Sequence, residues 1–238
     1  MGRNPHQRPP YPHLWVTIGG SEGAVTGSNY DRIYSHINDF KSLFATQCSK
    51  EFGLAGPFDF NFFQFIYRDN DGVPLSVTAE EFNLQDIESQ PQQLISLHTR
   101  IKNDNVGRDE DPNTNRIPPY SIVIVYLPGD YLDNDGHTVG YAFTIDGQLP
   151  YMIVLTDRAD SNTFAHEIGH VLNYSNKDGL KYDPHYSEEH DSAHDNDTDR
   201  GHNEIEGNLM YYNGAGDQIT SEQCEQFRQS KIILRPES

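Results

Sequence analysis

Basic residues are scarce in this sequence, and long apolar runs are absent. Its 238 residues include 36 Asp and Glu but 17 Lys and Arg, a formal net charge of −19. Nucleic-acid binding needs clustered Lys and Arg against phosphate, so we expect no nucleic acid partner. No run of roughly eighteen apolar residues occurs, so no transmembrane helix is predicted. We expect a polar protein that acts as a monomer.

Cysteine is scarce as well. Cys48 and Cys224 are the two cysteines, and a bridge and two buried free thiols are equally compatible with such a pair. The first residues lack the apolar segment of a signal peptide. We therefore expect secretion, or delivery outside the cell, by a route without a visible signal peptide. Excision from a longer chain and action inside the cell are the alternatives.

The most informative stretch is a His-Glu-x-x-His pattern at His166, Glu167 and His170. Residues i and i+4 of an α-helix share one face, so both imidazoles can bind one Zn²⁺. The Glu167 carboxylate lies beside them, where it can accept a proton from water at the metal. A chance match with solvated histidines is the alternative. An apolar stripe favours a helix packed on a core: Phe164, Ile168, Val171 and Leu172.

Hydrophobic periodicity predicts one domain over residues 14–238, preceded by an extended arm at 1–13. The predicted strands are 14–18, 58–67, 121–126, 139–145 and 151–155. The predicted helices are about 28–52, 79–103, the motif helix, and 221–230 after a cap at Thr220 or Ser221. This order indicates an α+β fold with a mostly parallel, twisted sheet and helices packed on it. Residues 173–208 lack periodicity and are typical of a long functional loop.

Over residues 151–230 the sequence resembles the metzincin zinc peptidases, on the basis of the motif, Asn208-Leu209-Met210 and the last helix. The resemblance implies an upper half at about 14–172 with two long helices, and an irregular lower half at about 173–238. It implies a Met-turn at Met210 beneath one catalytic Zn²⁺. It also implies a peptide or protein substrate, held by strand addition near 139–145.

The family pattern H-E-x-x-H-x-x-G-x-x-H is not complete here. Asn173 stands at the glycine position and Asn176 at the third histidine. A catalytic zinc has three protein ligands and water, so another residue must complete the site. We favour His202, which precedes Met210 by a short spacer. The alternatives are His185, His190, His194, Glu188, Glu189, Glu204 and Glu206.

Two further patterns lie near the end of the chain. Tyr212 follows Met210 by two residues, and the resemblance implies that it contacts the metal or stabilises the developing oxyanion. A packed aromatic side chain is the alternative. An acidic run is spaced like an EF-hand loop, but Arg200 replaces the required glycine, which leaves an irregular Ca²⁺ site or a solvated loop. The run comprises Asp195, Asp197, Asp199 and Glu206.

The predicted function is zinc metalloendopeptidase, as a secreted protease or a delivered toxin or effector domain. His166, His170 and His202 are the predicted ligands, and Glu167 and Tyr212 the predicted catalytic residues. A catalytically degenerate metal-binding domain and a Ca²⁺-dependent binding module stay open as alternatives. Glu167 favours the enzyme, because a degenerate site has no need of that carboxylate.

Overall fold

The computed structural model describes residues 13–24, 27–48, 58–62, 71–82, 92–105, 121–174, 182–186 and 201–234. Within these ranges the strands are β1 His13–Gly20, β2 Phe58–Phe62, β3 Ile122–Tyr126, β4 Gly140–Ile145, β5 Gln148–Leu155 and β6 Ile233–Leu234. The α-helices are α1 Gly27–Gln47, α2 Gln92–Asn105, α3 Ser161–Tyr174 and α4 Ser221–Arg228, and Ala79–Glu81 forms a 3₁₀ turn. The fold is α+β.

All strands belong to one mostly parallel sheet, as predicted. The order is β2-β1-β3-β5-β4, and the short β6 pairs with β1. β1 runs parallel to β2 and β3, and β3 runs parallel to β5. β4 is antiparallel to β5, and a turn at Asp146 and Gly147 joins the two strands. β4 therefore stands at the end of the path, beside the motif helix α3.

The sheet separates two apolar cores, and β3 contributes to both. Ile122, Ile124 and Tyr126 pack in the core with α1, α3 and α4, whereas Val123 and Val125 face the core under α2. Alternate side chains of a strand point to opposite faces, so a strand covered on both faces reads as a continuous apolar run. The run at 121–126 predicted this strand for that reason.

Several predicted elements differ in extent from the described ones. α1 ends at Gln47 rather than near residue 52. β2 is described as Phe58–Phe62, and the rest of that predicted strand, residues 63–67, lies outside the described ranges. For the predicted helix 79–103, with its restart at Pro91, the structure describes a 3₁₀ turn at Ala79–Glu81 and then α2 from Gln92 to Asn105, and residues 83–91 lie outside the described ranges.

The chain ends also differ from prediction. His13 belongs to β1, where it pairs with Leu234, rather than to an extended arm. Residues 1–12 lie outside the described ranges. β6 has two residues, which is too short for a periodic pattern. Of the two alternatives for the cysteines, the structure has the bridge: Cys48 and Cys224 form a disulfide that joins the end of α1 to α4. Among the described helices, none combines the length and apolarity needed to cross a bilayer.

Candidate metal centre

Helix α3 carries the motif into the core, and its own sequence explains how it starts. Asp160 Oδ1 accepts hydrogen bonds from the Thr163 backbone nitrogen at 2.8 Å and its hydroxyl at 2.9 Å, an N-terminal cap. The predicted apolar stripe is fully buried against the sheet, α1 and α4. Burial of one face fixes the rotation of the helix about its axis. The side chains of His166 and His170 therefore point in a defined direction.

Three histidine side chains converge at this helix. The Nε2 atoms of His166, His170 and His202 lie 3.0–3.1 Å from one another. Three nitrogens bound to one zinc at ~2.0–2.1 Å in a tetrahedron would stand about 3.3 Å apart. The triangle thus has nearly the size of one face of that tetrahedron. Among the described residues, these three histidines form a group of side chains close enough together to hold one metal ion.

The surroundings of the histidines suit neutral metal ligands. His166 Nδ1 lies 2.5 Å from the Leu209 carbonyl oxygen, so Nδ1 carries the proton and Nε2 keeps its lone pair. Burial, with the neighbouring His202 and His166, lowers the pKa of His170 well below its usual value. Metal binding requires the deprotonated imidazole. Gly201 passes so close that a Cβ there would lie 2.5 Å from His170 Nδ1.

Met210 packs beneath the motif helix. It is fully buried, and a Cβ on Gly169 would lie 2.5 Å from its sulfur. Glycine within a helix costs about 1 kcal/mol relative to alanine, and here it makes room for the methionine. Met210, which comes from the lower half of the protein, therefore restricts the size of the side chain at position 169, the variable motif position before His170.

Glu167 lies beside the three histidines at the floor of a cleft of about 340 Å³. Its side chain is 6% exposed. Gly140, at the start of β4, passes directly over it, since a Cβ there would lie 3.0 Å from Glu167 Oε1. Tyr212 is 42% exposed and lines the same cleft. The other lining residues are His137, Thr138, Val139, Tyr141, Ala142, Thr163, Tyr174, Gly214 and Ala215.

The loop that leads into β4 is held by Asp133. Its carboxylate accepts backbone hydrogen bonds from Gly136 at 2.7 Å, His137 at 3.0 Å and Thr138 at 2.7 Å. Burial raises the pKa of Asp133, but hydrogen bonds from the Thr138 side chain and from these three backbone nitrogens outweigh that effect and lower it. The carboxylate therefore stays charged and orders the rim of the cleft, including His137 and Thr138.

Behind the cluster lies a buried network of one carboxylate and three amides: Asp183, Asn203, Asn208 and Gln223. Asn203 and Gln223 each donate one N–H to Asp183, at 3.0 and 2.6 Å, and another to Asn208 Oδ1, at 2.8 and 2.9 Å. The network ties the 182–186 segment and α4 to the turn that carries His202. All four side chains are at most 2% exposed.

No protein-family model matches the sequence, and no curated protein matches it. Among solved structures, the fold is similar to the crystal structure of metalloproteinase-II from Bacteroides fragilis, at 17% identity and a TM-score of 0.49. The similarity covers 92% of this chain and 55% of that one, so the chain spans about half the length of that protein. A likeness at this level transfers no activity, so the function must be argued from this chain's side chains.

The structure brings together four of the five predicted site residues at the floor of the cleft, with Tyr212 on its wall. The alternatives for the third ligand lie elsewhere where they are described. His185 Nε2 lies 2.8 Å from the Thr220 hydroxyl oxygen, and Glu204 and Glu206 are exposed outside the cluster. Outside the described residues lie His190, His194, Glu188, Glu189, Asn176 and the predicted Ca²⁺ ligands Asp195, Asp197 and Asp199.

Asn173 occupies the glycine position of the family pattern. It is buried within α3, and its Oδ1 accepts a hydrogen bond from Gln226 Nε2 at 2.7 Å. The helix therefore runs through the position where the metzincin pattern has a glycine, and ends at Tyr174. The buried network, in contrast, was missed by the sequence analysis. Asp183 lies in a polar loop, and no local pattern distinguishes it from its solvated neighbours.

Proposed function

We propose that the protein is a zinc-dependent metallopeptidase that hydrolyses peptide bonds. The observation that carries this proposal is the convergence of three histidine nitrogens beside a buried glutamate, at the floor of a cleft walled by a strand edge. When bound, zinc supplies a Lewis acid that polarises a carbonyl and lowers the pKa of water to ~7. His166, His170 and His202 would hold it.

The donor set favours zinc over the other common cations. Three neutral imidazoles suit zinc and related transition metals, whereas Ca²⁺ and Mg²⁺ take oxygen ligands. Structural zinc sites are closed by four protein ligands, and catalytic ones use three. Here three ligands face an open cleft. This arrangement supports a catalytic metal.

Glu167 would be the general base. It neighbours His166 in sequence and lies outside the ligand group, as a general base beside a metal must. It would accept a proton from the attacking water and pass it to the amine that leaves. Contact with Gly140 and burial at the cleft floor limit its movement. Tyr212 on the cleft wall would stabilise the developing oxyanion.

The substrate would be a peptide in extended conformation. β4 pairs with β5 on one side, and none of the described strands pairs with its other edge. Residues 139–142 at the start of β4 line the cleft above Glu167. A free strand edge binds an extended peptide through backbone hydrogen bonds. Such a peptide would lie across the three histidines, which supports an endopeptidase.

We also propose that the protein is a metzincin and that it acts outside the cell. The packing of Met210 under Gly169 supports a Met-turn. The Cys48–Cys224 disulfide supports an oxidising compartment, because disulfides rarely persist in the cytosol. The protein would then be secreted, or delivered as an effector, by a route that the sequence does not identify.

The decisive experiment combines metal content with proteolysis. Glu167→Gln should retain one zinc per chain and lose cleavage of an unfolded protein by at least about 100-fold, in line with the loss of a general base. Glu206→Gln, which changes an exposed glutamate outside the histidine cluster in the same way, is the matched control and should behave as wild type. Wild-type activity in Glu167→Gln would remove this residue from the mechanism, and a wild type without bound metal would refute the proposal.

A further inference from the structure

We propose that Asp183 is a positioning residue that sets the third ligand, His202, through Asn203. This inference rests on the proposed metal site. The carboxylate is 2% exposed, and a buried charge is retained in a fold only where hydrogen bonds compensate it. All its named partners are N–H donors, from Asn203, Gln223 and the His185 backbone at 2.6–3.0 Å.

Asn203 links this carboxylate to the metal cluster. It directly follows His202, and its backbone nitrogen donates to the Met210 carbonyl oxygen at 2.8 Å. Its carbonyl oxygen accepts from the Tyr212 backbone nitrogen at 3.0 Å. These two hydrogen bonds fix the position of the Asn203 backbone relative to the segment at Met210. They therefore also fix the position of the adjacent His202.

The side chain of Asn203 has its polar atoms occupied as well. Nδ2 donates to Asp183 Oδ1 at 3.0 Å and to Asn208 Oδ1 at 2.8 Å, and Oδ1 accepts from the Ile205 backbone at 3.0 Å. Its orientation is therefore determined by where the Asp183 and Asn208 acceptors lie. Gln223 on α4 makes the same pair of contacts from the other side.

A carboxylate is needed at position 183 because an amide has one acceptor oxygen and presents N–H groups of its own. The substitution Asp183→Asn would place a donor against the donors of Asn203 or Gln223. One of those amides would then have to turn, and a rotated Asn203 would shift the backbone that carries His202. The expected effect is on metal affinity and coordination geometry, beyond any effect on folding.

The test is a double-mutant cycle between Asp183→Asn and His202→Ala, read by zinc affinity in chelator competition. Removing a partner behind a ligand weakens metal binding by ~10–100-fold, and we expect this range for Asp183→Asn alone. In the His202→Ala background the same change should cost at most about twofold, the scatter of independent effects. The visible spectrum of the Co²⁺-loaded protein should change in Asp183→Asn and stay as wild type in the Glu206→Gln control.

Two results overturn the proposal: unchanged zinc affinity and Co²⁺ spectrum in folded Asp183→Asn, or an equal loss in both backgrounds, which indicates general destabilisation. The melting temperature of the metal-free protein reports on folding. If Asp183→Asn does not fold, Asn203→Ser takes its place, because it keeps one short donor and cannot span both acceptors. Unchanged affinity in Asn203→Ser overturns the proposal equally.

The outcomes also separate this inference from the proposed function. A wild type that binds zinc but cleaves no peptide refutes the peptidase and leaves the positioning of His202 to be decided by the cycle. Failure of the cycle in an active zinc enzyme refutes the role of Asp183 alone. A wild type that binds no metal refutes both.

Discussion

At the scale of single residues, the candidate metal centre depends on side chains that arrive from separate parts of the chain. His166 and His170 are one helical turn apart, whereas His202 approaches from a turn 32 residues after His170. Gly201 lets the backbone pass against the ring of His170, where a side chain would collide. The position of the third histidine is thus set by backbone contacts that a motif search does not detect.

His202→Ala should weaken zinc binding by more than the ~10–100-fold that loss of an outer-sphere partner costs, because one of three ligands is removed. His185→Ala is the matched control, since His185 contacts Thr220 instead, and should bind zinc as wild type does. Zinc titration against a chelator measures both. Wild-type affinity in His202→Ala, with a loss in His185→Ala or Glu204→Gln, would transfer the ligand role to that residue.

The sequence was sufficient for the part of the site that is local. Spacing alone indicated His166, Glu167 and His170, because four residues make about one helical turn. His202 was a hypothesis based on its distance from Met210. Asp183 could not be predicted, since its partners Asn203 and Gln223 are 20 and 40 residues away and polar loop residues carry no periodicity.

At the scale of the elements, α1 supports the motif helix from behind. His36 Nδ1 lies 2.8 Å from the Tyr126 hydroxyl of β3, and its ring packs 5.7 Å from that of Phe164 in α3. This polar pair between helix and sheet was not predicted, because the apolar spacing of α1 assigned only its hydrophobic face. Buried helices tolerate such a pair when both partners are hydrogen-bonded.

Stability should therefore fall as the pH drops from about 6.5 to about 4. Burial, and then Arg32, lower the pKa of His36 to about 4, against the opposing effect of Asp160 and Asp39. The unfolded chain binds a proton near pH 6.5 and the folded chain does not, so acid favours unfolding until His36 also titrates. The loss is up to about 3 kcal/mol.

Urea unfolding at pH 7 and at pH 4.5 measures this loss. His36→Asn retains a polar partner for Tyr126 without an ionisable ring, so its stability should change less between the two pH values. Carboxylates titrate in both proteins, so their contribution to the pH dependence of stability cancels in the comparison. An equal pH dependence in wild type and variant would show that His36 titrates normally.

The disulfide makes a second connection between elements, from the end of α1 to α4. It closes a loop of 176 residues, and loops of this length lose the most conformational entropy when they are cross-linked. Cys48→Ala/Cys224→Ala should lower the free energy of unfolding by about 2–5 kcal/mol. Urea unfolding of the zinc-free proteins measures it, and unchanged stability would contradict the prediction.

At the scale of the whole molecule, we expect the sheet and its two cores to form without a metal ion. The described apolar clusters lie on both faces of the sheet, and the three histidines line the cleft beside the edge strand β4. The order of strands and helices was predictable because each core strand and amphipathic helix has a local pattern. The irregular lower half was not, since polar contacts over long sequence separations shape it.

Chelation should accordingly leave the fold largely intact. Zinc at 100 times its dissociation constant stabilises a protein by about 2.7 kcal/mol, so its removal should lower the melting temperature by ~5–10 °C for a chain of this size. Far-UV circular dichroism before and after chelation should be nearly the same, with His166→Ala as a metal-free reference. Complete unfolding on chelation would make the zinc structural.

The Cys48–Cys224 bridge has one more consequence, which concerns chain cleavage. A single backbone cut anywhere between residues 48 and 224 yields two fragments that stay covalently joined. All three histidines and Glu167 lie inside that interval, so a nicked molecule would keep its metal ligands on one cross-linked assembly. On a non-reducing gel the nicked protein would run as one band, and after reduction it would run as two. If the proposed peptidase activity cut its own chain within this interval, no fragment would be released.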